Sequence, residues 1–166
     1  MNSHLKVMVI GIGASLVVDA WSILRRLAFG VPAADFALVG RWLGHLAGGR
    51  FRHPSIAKAT AVRGELALGW IAHFAIGIAF AAALVALAGT DWLSEPALLP
   101  ALLVGIGTVL VPFLIVQPAM GAGVAASRTP NPAAARLQAL VTHGIFGLGL
   151  FATALVLDRA LSGAGG

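Results

Sequence analysis

The chain is 166 residues long, 59% hydrophobic and only 10% charged, with a net charge of +5 and no cysteine. So apolar a composition excludes an ordinary soluble domain, and the missing thiols exclude disulfides, thiolate nucleophiles, iron–sulfur clusters and Cys-based zinc sites. The basic residues sit between apolar stretches rather than along an amphipathic face, so the expected partner is the lipid bilayer and no nucleic-acid partner is expected.

In chain order, the first apolar run covers 5–24, broken by Lys6, Ser15, Asp19 and Ser22 and ended by Arg25–Arg26. A cleaved signal keeps its charge ahead of the apolar run; here the stronger cluster comes after it, which predicts an uncleaved spanning helix. In the connection 25–65, Phe36, Val39, Leu43 and Leu46 recur at helical spacing beside Arg41 and His45. This spacing predicts a short helix lying at the membrane interface. The next stretch, Gly48-Gly49-Arg50-Phe51-Arg52-His53-Pro54, reads as a basic loop that enforces topology or touches anionic head groups. Glu65 has Arg41, Arg63 and Arg128 within its neighbourhood of loops, yet a solvated carboxylate is the expectation for it.

The second apolar run, 66–88, holds one polar residue, His73, and the third, 98–117, holds Thr108 and Gln117. Both are long enough to span a bilayer. Pro112 and Pro118 predict a kink near the end of the third. The connection 118–131 is crowded with small residues. Its Gly121-x-Gly123-x-x-Ala126 is no dinucleotide fingerprint, because a spanning helix stands where a strand is required. A backbone pocket for an anion beside Arg128 remains compatible with it. Asn131 as N-cap and Pro132 at the first helical position open a fourth run to 157. The reading is all-α: a single membrane domain over 1–166, a four-transmembrane-helix bundle with one interfacial helix in its first loop.

Nine basic residues, Arg25, Arg26, Arg41, Arg50, Arg52, Lys58, Arg63, Arg128 and Arg136, fall on one side of this topology, and only Lys6 and Arg159 on the other. By the positive-inside rule the loops 25–65 and 118–131 face the cytoplasm and both termini face outward. A weak internal repeat agrees: aligning His73 with His143 aligns Gly77 with Gly147, and Gly11-Ile12-Gly13 matches Gly105-Ile106-Gly107. A duplicated two-helix hairpin puts both long loops on one side.

Asp19, His73, Gln117 and His143 are the strongly polar residues of the four spans, and they share one depth, roughly 9 Å inside the cytoplasmic helix ends. Residues four apart share a helix face, so Gly11, Ser15 and Asp19 form one stripe, Gly69, His73 and Gly77 another, and Ala139, His143 and Gly147 a third. Small residues mark close helix approach, which turns these stripes inward. Intramembrane ionisable groups are functional candidates by default. His73, His143 and Asp19 are a candidate metal set for zinc or iron, and two facing histidines suit haem, although no His-x-x-His spacing is present. The alternative is that these groups pair with one another and only set the helix arrangement.

The stretches Leu38-Val39-Gly40-Arg41-Trp42-Leu43-Gly44-His45, Arg63-Gly64-Glu65, Leu68-Gly69-Trp70-Ile71-Ala72-His73, the run from Gln117 through Pro132, and His143 with Phe146-Gly147 carry a likeness. In them the chain resembles a bacterial family of small multi-pass membrane proteins known only as a domain of unknown function. The resemblance implies a four-span fold in a bacterial inner membrane and brings no activity, substrate or cofactor. The residues support three function classes. One is a membrane protein holding a small ligand, proton or metal with Asp19, His73, Gln117 and His143, together with Arg41, His45, Glu65 and Arg128 in the loops. Another is an accessory subunit acting through a membrane partner or as a homo-oligomer. The third is a membrane enzyme on a lipid-like substrate, with a histidine as base and Arg41 or Arg128 on an anionic head group.

Overall fold

The computed structural model describes residues 1–163, which are helical with connecting loops and contain no strand among them. Four helices are long and apolar enough to cross a membrane: α1 (Ser3–Phe29), α3 (Glu65–Ala88), α4 (Leu98–Met120) and α5 (Pro132–Gly163). The short α2 (Phe36–Ala47) occupies the first connection, where the helical spacing of its apolar residues predicts one. The protein is thus an all-α membrane protein with four spanning helices.

Local chemistry starts and stops these helices. The Asn2 side chain accepts the Leu5 N–H at the start of α1, and Gly30 closes it in the left-handed conformation (φ 65°). Asp35 caps α2 by accepting from Ala37 N–H. Asn131 accepts from Ala134 N–H at 3.1 Å, with Pro132 first in α5, in agreement with the start signal. Helix α4 is not regular. Pro112 has no N–H to give, and from Pro112 to Val116 the helix widens to a π turn, with Gln117 N–H reaching back to the Pro112 carbonyl. The expected proline disturbance takes the form of a π-bulge rather than a break.

The chain forms two compact units. The first comprises Met1–Pro32, Phe74–Thr108 and the chain from Val141; the second comprises Ala33–His73 and Val109–Leu140. In the first unit the core holds Ile10, Ala14, Leu84, Ala101, Leu150 and Ala154, all close to fully buried. Leu87, Leu99 and Val156 point outward at 78%, 67% and 68% exposure. The small residues in this core, Ala14, Ala101 and Ala154, suit helices packed in lipid, because short side chains let helix backbones meet.

Glycines make those meetings. A Cβ on Gly11 would lie 2.5 Å from Ile78 Cα and 2.8 Å from the Gly77 carbonyl, and one on Gly105 would lie 2.5 Å from Gly147 Cα. Since Gly11 aligns with Gly105 and Gly77 with Gly147, the α1–α3 and α4–α5 contacts are the same contact used twice. The weak sequence repeat therefore has a packing counterpart. In the second unit, Gly40 of α2 and Gly69 of α3 are as close: a Cβ on either would collide with the backbone of the other helix, at Glu65 and Phe36 respectively.

The repeat predicts matched sensitivities. Gly11→Leu and Gly105→Leu should each cost about 1–3 kcal/mol by overpacking, while Gly107→Leu, whose Cβ would meet nothing within 4 Å, should melt like the parent. Thermal unfolding in detergent followed by circular dichroism checks this; a destabilised Gly107→Leu alongside a tolerated Gly105→Leu would contradict the packing.

Candidate functional site

The crossing at Gly40 and Gly69 places Arg41, the next residue of α2, against Glu65 at the head of α3. Arg41 Nε donates to Glu65 Oε2 at 2.8 Å and Nη2 donates to Oε1 at 2.7 Å, a bidentate pair. Arg41 Nη1 also donates to the carbonyls of Ala57 (3.2 Å) and Ala59 (3.3 Å), and Val62 N–H donates to Glu65 Oε2 at 2.9 Å. Glu65 is therefore not the solvated carboxylate that its loop position suggests. Both side chains are largely buried, at 14% and 17% exposure, and each is consumed by the other and by the loop it clamps. Arg41 and Glu65 together hold the loops around them in place.

One turn further along α2, His45 Nε2–H donates to the Thr60 carbonyl at 2.9 Å; an acceptor-only partner requires the proton on that nitrogen. Trp42 is buried and its Nε1–H donates to the Phe51 carbonyl at 2.9 Å, with the Phe51 ring edge-on at 5.8 Å. The basic loop is thus tied to α2. It is tied as firmly to the segment after α4, where His53 N–H donates to the Ala119 carbonyl at 2.8 Å. Gly121, at φ 99°, sits so close to the Pro54 carbonyl that no side chain fits there. Beyond it, Ala125 and Ala126 are held left-handed at φ 46° and 58°, a conformation that costs a non-glycine residue on the order of 1–2 kcal/mol. Arg136 Nε donates to the Ala125 carbonyl at 2.8 Å, and Ala126 is buried.

These two loops line an open cavity of about 540 Å³. Arg52, His53, Ser127 and Arg128 form its polar wall, and Pro54, Pro118, Gly123 and Val124 complete it. Among the described residues neither Arg52 nor Arg128 is paired with a carboxylate. His53 is only 3% exposed, and neither ring nitrogen has a hydrogen-bond partner among the described residues. Its ring lies 4.9 Å from that of His45. Burial pushes the His53 imidazole below its usual pKa of 6.5, and Arg50 and His45 push it the same way. Near neutral pH the ring is uncharged, an unsatisfied polar group in a basic wall.

Of the intramembrane candidates, Asp19 and His143 belong to the first unit and His73 and Gln117 to the second. Thr108 Oγ1 donates to the Gly105 carbonyl at 2.6 Å and lies 2.9 Å from His143 Nδ1. Because the hydroxyl proton is spent on Gly105, Thr108 accepts from Nδ1–H, which leaves the lone pair of His143 on Nε2. His73 packs between rings, 4.5 Å from Phe36 and 5.7 Å from Trp70. Gln117 ends the π turn with a buried Oε1 that accepts no hydrogen bond. Among the described residues no group of three or more His, Asp and Glu is placed to hold a metal ion. Of the loop candidates, Arg128 lines the cavity and His45 backs it. Arg52, His53 and Ser127 carry no sequence signal that marks them as site residues. The run Gly48 to Pro54 is visible as basic, but burial of one histidine within it is not.

The clamp and the buried ring can each be tested. Arg41→Lys keeps the charge but loses the fork, so its melting temperature should fall by several degrees, nearly as far as that of Arg41→Ala; a Lys variant as stable as the parent would refute the clamp. For His53, the folded pKa lies below the unfolded one, so the folded protein binds fewer protons between them and stability rises with pH there. Its contribution is full above pH 6.5 and is lost as the pH falls from there through the folded-state value. Denaturation in detergent across this range should show that slope in the parent and a flatter one in His53→Asn, and equal slopes would count against the buried neutral ring.

No curated protein and no solved structure matches the chain. The family model described as "Protein of unknown function (DUF2938)" matches residues 8–157, which includes both loops of the cavity and all the intramembrane candidates. On that match, the chain belongs to the DUF2938 family of proteins of unknown function.

Proposed function

We propose that this membrane protein binds a small oxyanion in the cavity between its two basic loops, on the cytoplasmic face of a bacterial inner membrane. The observation that carries the reading is His53: a buried imidazole without a hydrogen-bond partner, in a wall it shares with Arg52 and Arg128. Leaving a buried polar group unsatisfied costs free energy, and a ligand that hydrogen-bonds it recovers that cost on binding. Guanidinium groups are the side chains best shaped for planar, bidentate recognition of oxyanions, and the Ser127 hydroxyl adds a donor. The excess of basic residues on this side supports the cytoplasmic placement.

In this reading the clamp of Arg41 on Glu65 and the ties from Trp42 and His53 pre-organise the loops, so little ordering is needed when the ligand arrives. The intramembrane His143, hydrogen-bonded to Thr108, and His73, stacked beside Phe36 and Trp70, serve helix packing.

Sulfate and inorganic phosphate should raise the melting temperature of the detergent-purified protein saturably at constant ionic strength, as a ligand that binds only the folded state must. Arg52→Gln/Arg128→Gln should weaken this by about tenfold or more, the loss of one or two charge-assisted bonds. Stabilisation that is absent, or undiminished in the double variant, would remove the site.

A further inference from the structure

The buried wall of the cavity carries a histidine where another cation would hold an anion more simply, and the groups around His53 give the reason. From α2 comes His45, whose Nε2–H is given to Thr60. From its own loop come Arg50 and Arg52, and from the loop after α4 come Ser127 and Arg128. No carboxylate faces the ring from any of them. The backbone N–H of His53 is spent on Ala119, while both ring nitrogens are unspent.

Without an anion in the cavity, every influence acts against a charge on the ring. Burial removes its hydration, and Arg50 and His45 also oppose a charge on it, which is why its pKa is depressed. An oxyanion seated on Arg52 and Arg128 reverses the local field. The anion attracts the imidazolium and offers a ring N–H an acceptor, so the charged form becomes the favoured one.

Resting on the oxyanion site proposed above, we propose that the anion and a proton bind together: His53 is neutral in the anion-free protein and takes up one proton from solvent when the cavity fills. The balance is one neutral imidazole, one proton and one anion giving one imidazolium–anion pair, with no bond broken elsewhere. The linkage has a definite sign. Between the pKa of the anion-free site and that of the filled one, each unit of falling pH tightens anion binding by up to about tenfold. By reciprocity, the anion raises the proton affinity of His53 by the same factor that the proton raises the anion's.

Titration calorimetry of the full-length protein in detergent with sulfate tests this, because sulfate itself takes up no proton over the range of about pH 5 to 8 in which a histidine titrates. Each pH is measured in two buffers of different ionisation enthalpy, so that the difference in heat counts protons. The expected result is an uptake approaching one proton per sulfate between the two pKa values, with affinity rising toward acid, both lost in His53→Asn. The proton count of the parent protein decides the matter even if that variant fails to fold. Sulfate affinity that is flat with pH, with no proton taken up, overturns the coupling and leaves the oxyanion site standing; so does an uptake that persists in a folded His53→Asn, which assigns the proton elsewhere. Failure of sulfate to bind at any pH overturns both.

Discussion

Lipid offers helices no hydrophobic reward for meeting one another, so their association rests on how closely two backbones approach. In this chain that approach is set by glycine. Gly11 meets Gly77–Ile78, Gly105 meets Gly147, and Gly40 meets Glu65 and Gly69, each at a separation that leaves no room for a methyl group. The last crossing has consequences beyond packing. With α2 drawn onto the head of α3, Arg41 has one carboxylate and three loop carbonyls within reach, and it uses all of them. The charges help to build the loop, and a guanidinium suits that work because its fork serves several acceptors at once.

The cavity depends on this scaffold at one remove. The segment 51–54 is tied to α2 by Trp42 and to the end of α4 by the backbone of His53, and Gly121 lets the two loops touch at Pro54. The π turn from Pro112 to Val116 precedes the second loop, and the left-handed Ala125 and Ala126 shape it. Irregular backbone of this kind persists where surrounding contacts over-determine it, and such strain gathers at binding sites. Here it lies beside two arginines that have no carboxylate partner among the described residues and one histidine left unsatisfied among them.

A neutral imidazole among cations is a different device from a third arginine. On the proposed reading it holds the anion-free site at a lower charge and reserves a proton-accepting position whose occupancy depends on what else is bound. In the first unit, the pair of Thr108 and His143 shows the contrasting case. There a hydroxyl that has already given its proton to a carbonyl dictates the tautomer, and the histidine is tied into the helix packing.

Much of the architecture is legible in one dimension because the bilayer imposes it locally. Apolar length marks a span, Asn131–Pro132 marks a helix start, and the spacing of Phe36, Val39, Leu43 and Leu46 marks α2, since each depends on neighbours within a turn or two. Even the duplicated glycine contact leaves a trace in the alignment of Gly11 with Gly105. The site is legible only in fragments. Arg128 and the basic loop are noticeable by composition, but Glu65 reads as solvated when it is clamped, and Arg52, His53 and Ser127 do not read as cavity residues at all. The reason is that a side chain's burial, its partners and its proton affinity are set by atoms far away in the chain. His53 lies against Ala119, 66 positions on, and no local pattern distinguishes a histidine that loses its water there from one that keeps it. Sequence by itself determined the apolar spans and the helices; tertiary structure decided which charges cancel and which polar groups are left unmet, because desolvation and hydrogen bonding are properties of a three-dimensional neighbourhood.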